Sequence, residues 1–517
     1  MTSKQVDTQD KEIAEETRPK TSTALRPFDH ILKYIGVFGG VQGLSMLVSV
    51  IRNKLTTVLL GQVGFALITI YNNICEFVTS TSNFGIPFSA VRHVSELNEL
   101  GQEKATTRFV CVVRTWCVWT ALLAVALLTV FSPCLAHIFS DDDTQLTPVT
   151  IILLAPTVVC MTISGGELSI LKGTHHLKRI ATISAIGAVS TLICTIPFYW
   201  LWRINGIIIA LDFSTLMYVI INLSFSLPIF PWHISLMSRQ VLREGWDMIR
   251  LGIPYVLAAV AGSGVGLALP ALFVHFGQIE DVGLYRAAFV VMSSYAGIVF
   301  TALEADYFPR LSSVNHDVHR RNFTIDQQVR VCVLLIAPLL LLMMLFMPLI
   351  VEILFVPDFH LVVPMAICAG MYTFCRAISL PMSYTALACG DSVLYLCMEI
   401  IYDVASLAII AGCYYLWGPV GAGIGLSLAG LFDLLLIWTC YGIFYHIRLK
   451  YDTILLAIEQ AFLMIAMILT CMLLPTAVKL CTATLLIILS TILSWRVLRR
   501  ESHFIARLKQ RTQPERS

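Results

Sequence analysis

Four basic side chains lie where long apolar runs leave little room for charge. Arg52 and Lys54 are the only charged residues between Ile35 and Cys75, while Arg286 and Arg376 fall inside apolar stretches at 283–304 and 361–388. A guanidinium offers a planar fork of donors and an ammonium a compact point charge, so both suit a phosphate-bearing anion received away from bulk water. A second set is acidic: Glu76 beside Asn72 and Asn73, Glu399 and Asp403 one turn apart, and Asp433 at nearly the depth of Arg376. A carboxylate at membrane depth can take up a proton or Na+ and couple a gradient to transport.

Each group also has an ordinary reading. Counting ~1.5 Å per helical residue from Lys33 carries the chain nearly a bilayer away by Arg52, where Arg52 and Lys54 could snorkel into headgroups. Arg376 must face protein or water, because an ionised group at the bilayer centre costs about 2.5–3.5 kcal/mol. It could hold Asp433 in a buried ion pair or meet a ligand directly. Glu399 reads as a hydrogen-bonding neighbour; Glu76, Asp403 and Asp433 are kept as candidates for ion coupling. His175 and His176 lack a third ligand, so no metal site is expected. Asp141, Asp142 and Asp143 could hold a metal and a phosphate leaving group in a membrane glycosyltransferase or polymerase, but three acids in one exposed loop read better as a solvated loop. The aromatics Tyr199, Trp200, Trp202, Tyr414, Tyr415 and Trp417 suit an interfacial belt.

The elements that must position these residues follow from composition. The 517 residues are 57% hydrophobic and 13% charged, with mean hydropathy +0.79, against about 25% charged residues in soluble domains. The expected fold is an all-α polytopic membrane protein. Fourteen apolar segments are long enough to span: 34–51, 63–85, 109–131, 148–171, 181–202, 204–228, 249–275, 283–304, 331–356, 361–388, 393–416, 419–445, 454–474 and 477–497. With both termini in the cytosol, 29 of the 35 Lys and Arg fall on the inner side, four on the outer (Arg52, Lys54, Arg203, Lys479) and two within helices, as the positive-inside rule requires. No connection is long enough for a soluble catalytic domain, and no GxxxxGK[ST] loop is present. An enzyme, a cofactor other than a coupling H+ or Na+, and a nucleic-acid partner are therefore not expected. The fifteen cysteines lack CxxC spacing and read as free thiols.

The division expected is a disordered cytosolic tail at 1–30, six-helix lobes at 31–230 and 231–450, an added helix pair at 451–498 and a basic cytosolic tail at 499–517. Its signs are short repeats: Gly61-Gln62-Val63-Gly64-Phe65 against Gly277-Gln278 with Gly283-Leu284-Tyr285, and Phe84-Gly85-Ile86-Pro87 with Arg92 against Phe308-Pro309-Arg310-Leu311-Ser312. Glycine or proline at helix ends is the plain alternative for each.

Together with Arg52-Asn53-Lys54 before Leu60-Gly61, these features resemble the polysaccharide flippase branch of the multidrug/oligosaccharidyl-lipid/polysaccharide exporter superfamily, related to lipid II flippases. The resemblance covers nearly all of the chain after residue 30. It implies two pseudo-symmetric lobes around a central cavity plus a C-terminal hairpin, working by alternating access in the bacterial inner membrane. The implied substrate is an undecaprenyl-pyrophosphate-linked oligosaccharide, with membrane lipids and polysaccharide polymerase machinery as partners. Arg52 matches an arginine of the family's cationic cavity. The family's second arginine aligns with Phe289, and Arg286 lies one turn earlier on nearly the same face. A cation-coupled multidrug antiporter of the same superfamily is the alternative; the terminal hairpin and Arg376 argue against it.

Overall fold

The computed structural model describes residues 26–512 except 141–145, 236–237, 296, 298–299, 301–306 and 309, with side chains from 43 to 499 apart from a few further positions. All regular structure among them is helical: α1 (Arg26–Ser82), α2 (Ile86–Glu99), α3 (Glu103–Phe139), α4 (Pro148–Ile152), α5 (Ala155–Gly173), α6 (Leu177–Trp202), α7 (Ile207–Ser226) and α8 (Arg239–Phe276). There follow α9 (Ile279–Phe289), α10 (Val318–Leu345), α11 (Met347–Leu354), α12 (Val362–Cys389), α13 (Ser392–Phe444), α14 (Tyr451–Leu473) and α15 (Thr476–Thr512). The protein is an all-helical, multi-pass membrane protein. The tail 1–25, the acids Asp141 to Asp143, Pro309 and the end 513–517 lie outside the described residues.

Ten stretches among the described residues are long and apolar enough to cross a membrane, where the sequence suggests fourteen. The difference lies largely in how neighbouring helices join. Gly61 (φ 67°, ψ −163°) and Gly418 (φ 64°, ψ −151°) break α1 and α13 without a loop, so each joins two of the expected spans into one stretch. A left-handed φ is open to glycine at little cost and disfavoured with a Cβ. At Gly418 the chain reverses: a Cβ on Gly425 would meet Ile410 Cα at 2.8 Å, and one on Gly421 would clash with Cys413 O. Arg203 (φ 52°) makes the corresponding break between α6 and α7. The expected span 283–304 is partly outside the described residues; its visible part is α9 followed by a π-helical turn, Val290–Tyr295.

The two halves repeat one another at a spacing of 215 residues. Tyr199, Leu201, Trp202, Gly206 and Leu211 recur as Tyr414, Leu416, Trp417, Gly421 and Leu426, and Cys160, Ile163 and Ser164 recur as Cys375, Ile378 and Ser379. Hydrogen bonds recur with them. Thr157 N donates to Asp212 Oδ1 at 3.0 Å, and Tyr372 N donates to Ser427 Oγ at 3.2 Å. Ser235 N donates to Thr115 Oγ1 at 3.1 Å, and Lys450 N, 215 positions on, donates to Asp326 Oδ1 at 2.8 Å, an acceptor from the equivalent helix one turn out of register. A main-chain N–H inside a bilayer needs such partners wherever a helix does not supply them.

The main buried cluster runs through both halves, with Ile70, Ile74, Phe139, Phe273, Leu340 and Phe374 among its most enclosed side chains. Beyond the repeat, α14 and α15 form a hairpin against α10. Its buried polar clasp is Gln460, whose Oε1 accepts from Ser490 Oγ at 2.7 Å and whose Nε2 donates to Ser494 Oγ at 3.3 Å. Paired amide and hydroxyl groups hold apolar helices together where lipid supplies no hydrophobic drive.

Candidate functional site

Arg376, on α12, lies with its Nη1 3.5 Å from Asp433 Oδ2 on α13, and Ser379 Oγ, one turn along, donates to the same oxygen at 2.7 Å. Asp433 is nearly enclosed, at 6% side-chain exposure, but the Arg376 side chain keeps 33%. The Arg376 side chain is thus only partly covered by protein while its guanidinium holds Asp433. Tyr372, Tyr402 and Glu399 stand within electrostatic reach of it. The repeat gives this pair a second meaning. The first-half residues 215 positions earlier are Met161 and Tyr218, so that half packs the same helices without an ion pair. Charge at this position is an addition to the architecture.

Asp403 sits on α13, two turns of helix beyond Tyr395, and is buried. Its Oδ2 has no hydrogen-bond partner among the described residues, and it lies 3.6 Å from where a Cβ on Gly262 of α8 would project. Glu399 and Arg376 both act on it electrostatically. A buried carboxylate oxygen without a donor is costly unless it takes up a proton or a cation.

Arg286 projects from α9 and is exposed, although protein surrounds it on most sides. Its electrostatic neighbours are Glu76 of α1, which attracts it, and Arg52 of α1, which repels it. The fold thus places Arg286 of α9 within reach of two residues of α1. Arg52 is half-buried and also lies within reach of Tyr199. Neither arginine makes an ion pair within 4.0 Å among the described residues. Tyr372 connects this group to the other, being in reach of both Tyr285 and Arg376. Phe289, whose ring is 6.3 Å from that of Tyr372, stands at the same junction, immediately before the π-helical turn. Single π turns shift the facing of the residues that follow and gather at functional sites.

Lys54 behaves differently from Arg52. Its Nζ donates to two main-chain carbonyls at the end of α11, Glu352 O at 2.7 Å and Phe355 O at 2.5 Å. Gln62 Nε2 donates to Asp358 O at 2.5 Å, and Phe65 meets Phe355 and Phe359 edge-on at 5.9 Å. Carbonyls at a helix C-terminus lack internal partners and carry the negative end of its dipole, so an ammonium there is well placed. These contacts tie α1 to the α11–α12 connection at the end opposite the basic loops. At the basic end α8 meets α1 and α2. Gly85 (φ 72°) and Gly252 approach so closely that a Cβ on Gly85 would lie 2.7 Å from Gly252 O. Phe88 stacks on Tyr255 at 3.6 Å, and Arg108 Nη2 reaches Glu244 Oε1 at 2.6 Å.

Sequence reasoning passed over one buried ion pair. Arg114 of α3 and Glu167 of α5 are each 2% exposed, with Nε to Oε1 at 2.6 Å and Nη2 to Oε2 at 3.0 Å. Phe230 O and Pro231 O accept from Arg114 Nη1, Ser226 Oγ binds Glu167, and the guanidinium lies 5.0 Å from the Trp232 ring centre. Every donor on that guanidinium has a use within the protein. The pair is structural, and the signal for it was two opposite charges, each just inside the basic end of an apolar segment.

A family model described as polysaccharide biosynthesis protein matches residues 55–364, more than half of the chain. The chain belongs to the polysaccharide biosynthesis protein family. Solved structures with the same fold include lipid II flippase MurJ in an inward closed conformation, with TM-score 0.66 at 14% identity over 90% of this chain and 99% of that one. An inward-facing multidrug resistance MATE family transporter of the MOP superfamily gives TM-score 0.61 at 12% identity over 80% of this chain and 98% of its own. A MOP superfamily transporter from Pyrococcus furiosus gives 0.54 at 13%, over 80% and 94%. No curated protein matches the sequence. As a member of the polysaccharide biosynthesis protein family, the chain carries Arg52 just before the matched residues, with Glu76 and Arg286 inside them and Arg376 beyond.

Proposed function

We propose that this protein is a flippase that moves a polyprenyl-pyrophosphate-linked oligosaccharide, a repeat unit of O-antigen, capsule or exopolysaccharide, from the cytosolic to the periplasmic leaflet of a bacterial inner membrane. The observation that carries the reading is the pairing of like charges on Arg286 and Arg52. Two guanidinium groups within electrostatic reach of each other, one exposed and neither ion-paired among the described residues, would suit a multiply charged anion. A pyrophosphate satisfies both at once, and Glu76 limits the repulsion when the site is empty.

Arg376 extends the cationic surface through Tyr372, and its ion pair with Asp433 keeps the guanidinium oriented. Asp403, and with it Glu76 and Asp433, are the groups that would take up H+ or Na+ to couple transport to a gradient. The Lys54 strut lies at the end opposite the basic loops and the Gly85–Gly252 contact at the basic end, where alternating access would break one while keeping the other. The hairpin α14–α15, rich in exposed apolar side chains, offers the polyprenyl chain an apolar path while the sugar crosses through water. The family match supports this reading, as does the larger share of the chain that lipid II flippase accounts for beside the multidrug transporters.

The test is complementation of a strain lacking its own flippase. Arg52→Ala and Arg286→Gln should each abolish complementation at undiminished membrane expression. Full complementation by both would remove the pyrophosphate site, and a drug-resistance change without a polysaccharide phenotype would favour a multidrug antiporter.

A further inference from the structure

The basic end of the second half holds a cavity that transport leaves unused. About 450 Å³ opens between the first turns of α10 and the connection 445–450 leading into α14, lined by His319, Asn322, Phe323, His446, Arg448 and Lys450. Residues 446–450 form no helix, yet the connection is fixed at three points. Arg321 Nη2 donates to Tyr445 O at 2.5 Å, Asn322 Nδ2 to His446 O at 2.9 Å, and Lys450 N to Asp326 Oδ1 at 2.8 Å. Lys450 Nζ rests 4.9 Å from the centre of the Phe323 ring. The connection and the Lys450 ammonium are therefore placed in advance, and the one carboxylate lining the cavity among the described residues, Asp326, is buried and engaged by a main-chain donor.

The internal repeat separates what the fold needs here from what it does not. In the first half the corresponding connection is fixed in the same way, through Arg114 to Phe230 O and Pro231 O and through Ser235 N to Thr115 Oγ1. Ser235 supplies the N–H that Lys450 supplies, without a charge, and His233 stands where Arg448 does. Arg448 and Lys450 are thus surplus to the architecture, and both are exposed. Beside them Ile443 is 70% exposed, Phe444 62% and Tyr451 76%, the surface of a segment that meets lipid. Exposed cations beside exposed apolar side chains at a membrane boundary match the two parts of an anionic phospholipid.

We propose that this cavity binds the phosphate-bearing headgroup of an anionic membrane lipid, with Arg448 and Lys450 on the phosphate and the acyl chains along Phe444 and Tyr451. A lipid held there would bridge α10 to the start of α14.

The test is native mass spectrometry of the full-length protein in detergent with defined phosphatidylglycerol and phosphatidylcholine, and with inorganic phosphate as a separate arm. The wild type should retain phosphatidylglycerol in preference to phosphatidylcholine. The double variant R448Q/K450Q, which keeps the Lys450 N–H, should weaken that retention about thirtyfold, and R448K/K450R should restore most of it. R239Q/R243Q, which removes two cations from another basic connection, should leave it unchanged. Equal retention of the two lipids, or undiminished phosphatidylglycerol on R448Q/K450Q, would overturn the site. Displacement of the lipid by millimolar phosphate would overturn the lipid as its occupant and assign the cavity to a soluble anion.

Discussion

Replacing Lys54 with methionine should loosen the end of the molecule opposite the basic loops. The ammonium donates to Glu352 O and Phe355 O, both at the C-terminus of α11, and no other donor to either carbonyl is seen among the described side chains. Hydrogen bonds from a charged donor contribute about 1.5–3 kcal/mol each in enclosed settings. Lys54 is half-exposed, so water recovers part of that, and about 1 kcal/mol each is the fitting figure. The loss of about 2 kcal/mol raises the open fraction at this end about thirtyfold. Hydrogen–deuterium exchange across 351–361 reads it directly, because Phe355 N bonds to Val351 O and Phe359 N to Val356 O only while this segment is closed. Lys54→Met should speed exchange there about thirtyfold, with Lys54→Arg close to the wild type. A change under about twofold would mean that Gln62 and Phe65 hold the segment alone and that Lys54 is no strut.

Other perturbations separate structural from functional charge. Arg114→Met leaves Glu167 charged and enclosed at 2% exposure, so it should cost about 3–5 kcal/mol and sharply reduce the yield of folded protein, read as a thermal melt in detergent. Asp433→Asn should cost only about 1–2 kcal/mol, since the Arg376 side chain is partly exposed and an amide still accepts from Ser379 Oγ. The double change R376M/D433Y, which copies Met161 and Tyr218 of the first half, should melt near the wild type yet fail to complement; normal complementation would make the pair a packing device alone. Gly85→Ala places a Cβ 2.7 Å from Gly252 O on a left-handed φ, so it should cost at least about 1–2 kcal/mol and increase protease cleavage near 84–90.

The sequence was informative where physics acts locally and silent where packing decides. Apolar length alone identified the membrane helices, because a bilayer demands about twenty apolar residues per span. It did not reveal that Gly61 and Gly418 join spans without a loop, since a residue's φ is invisible in hydropathy. Gly61 and Gly277 hint at the repeat, but the firmer match, Tyr199 to Leu211 against Tyr414 to Leu426, lies at helix ends whose aromatics suit an interfacial belt equally well. Arg376 and Asp433 could be matched by depth because each lies near the middle of an apolar segment. Arg52, Glu76 and Arg286 could not, because their proximity depends on how α1 meets α9. Lys54 shows the same limit: its charge marked it as a cavity cation, and only the folded chain shows the α11 carbonyls that hold it.

The central claim is that Arg286 and Arg52 meet the pyrophosphate of a lipid-linked glycan on its way from the cytosolic to the periplasmic leaflet. The measurement that meets it most directly is lipid extraction and mass spectrometry of a deletion strain carrying empty vector, the wild type or Arg286→Gln, with a periplasmic probe reporting which glycans are exposed. Polyprenyl-pyrophosphate-linked oligosaccharide should build up, shielded from the probe, with the empty vector and with Arg286→Gln, and return to normal with the wild type. Unchanged lipid-linked pools in the deletion strain would contradict the account.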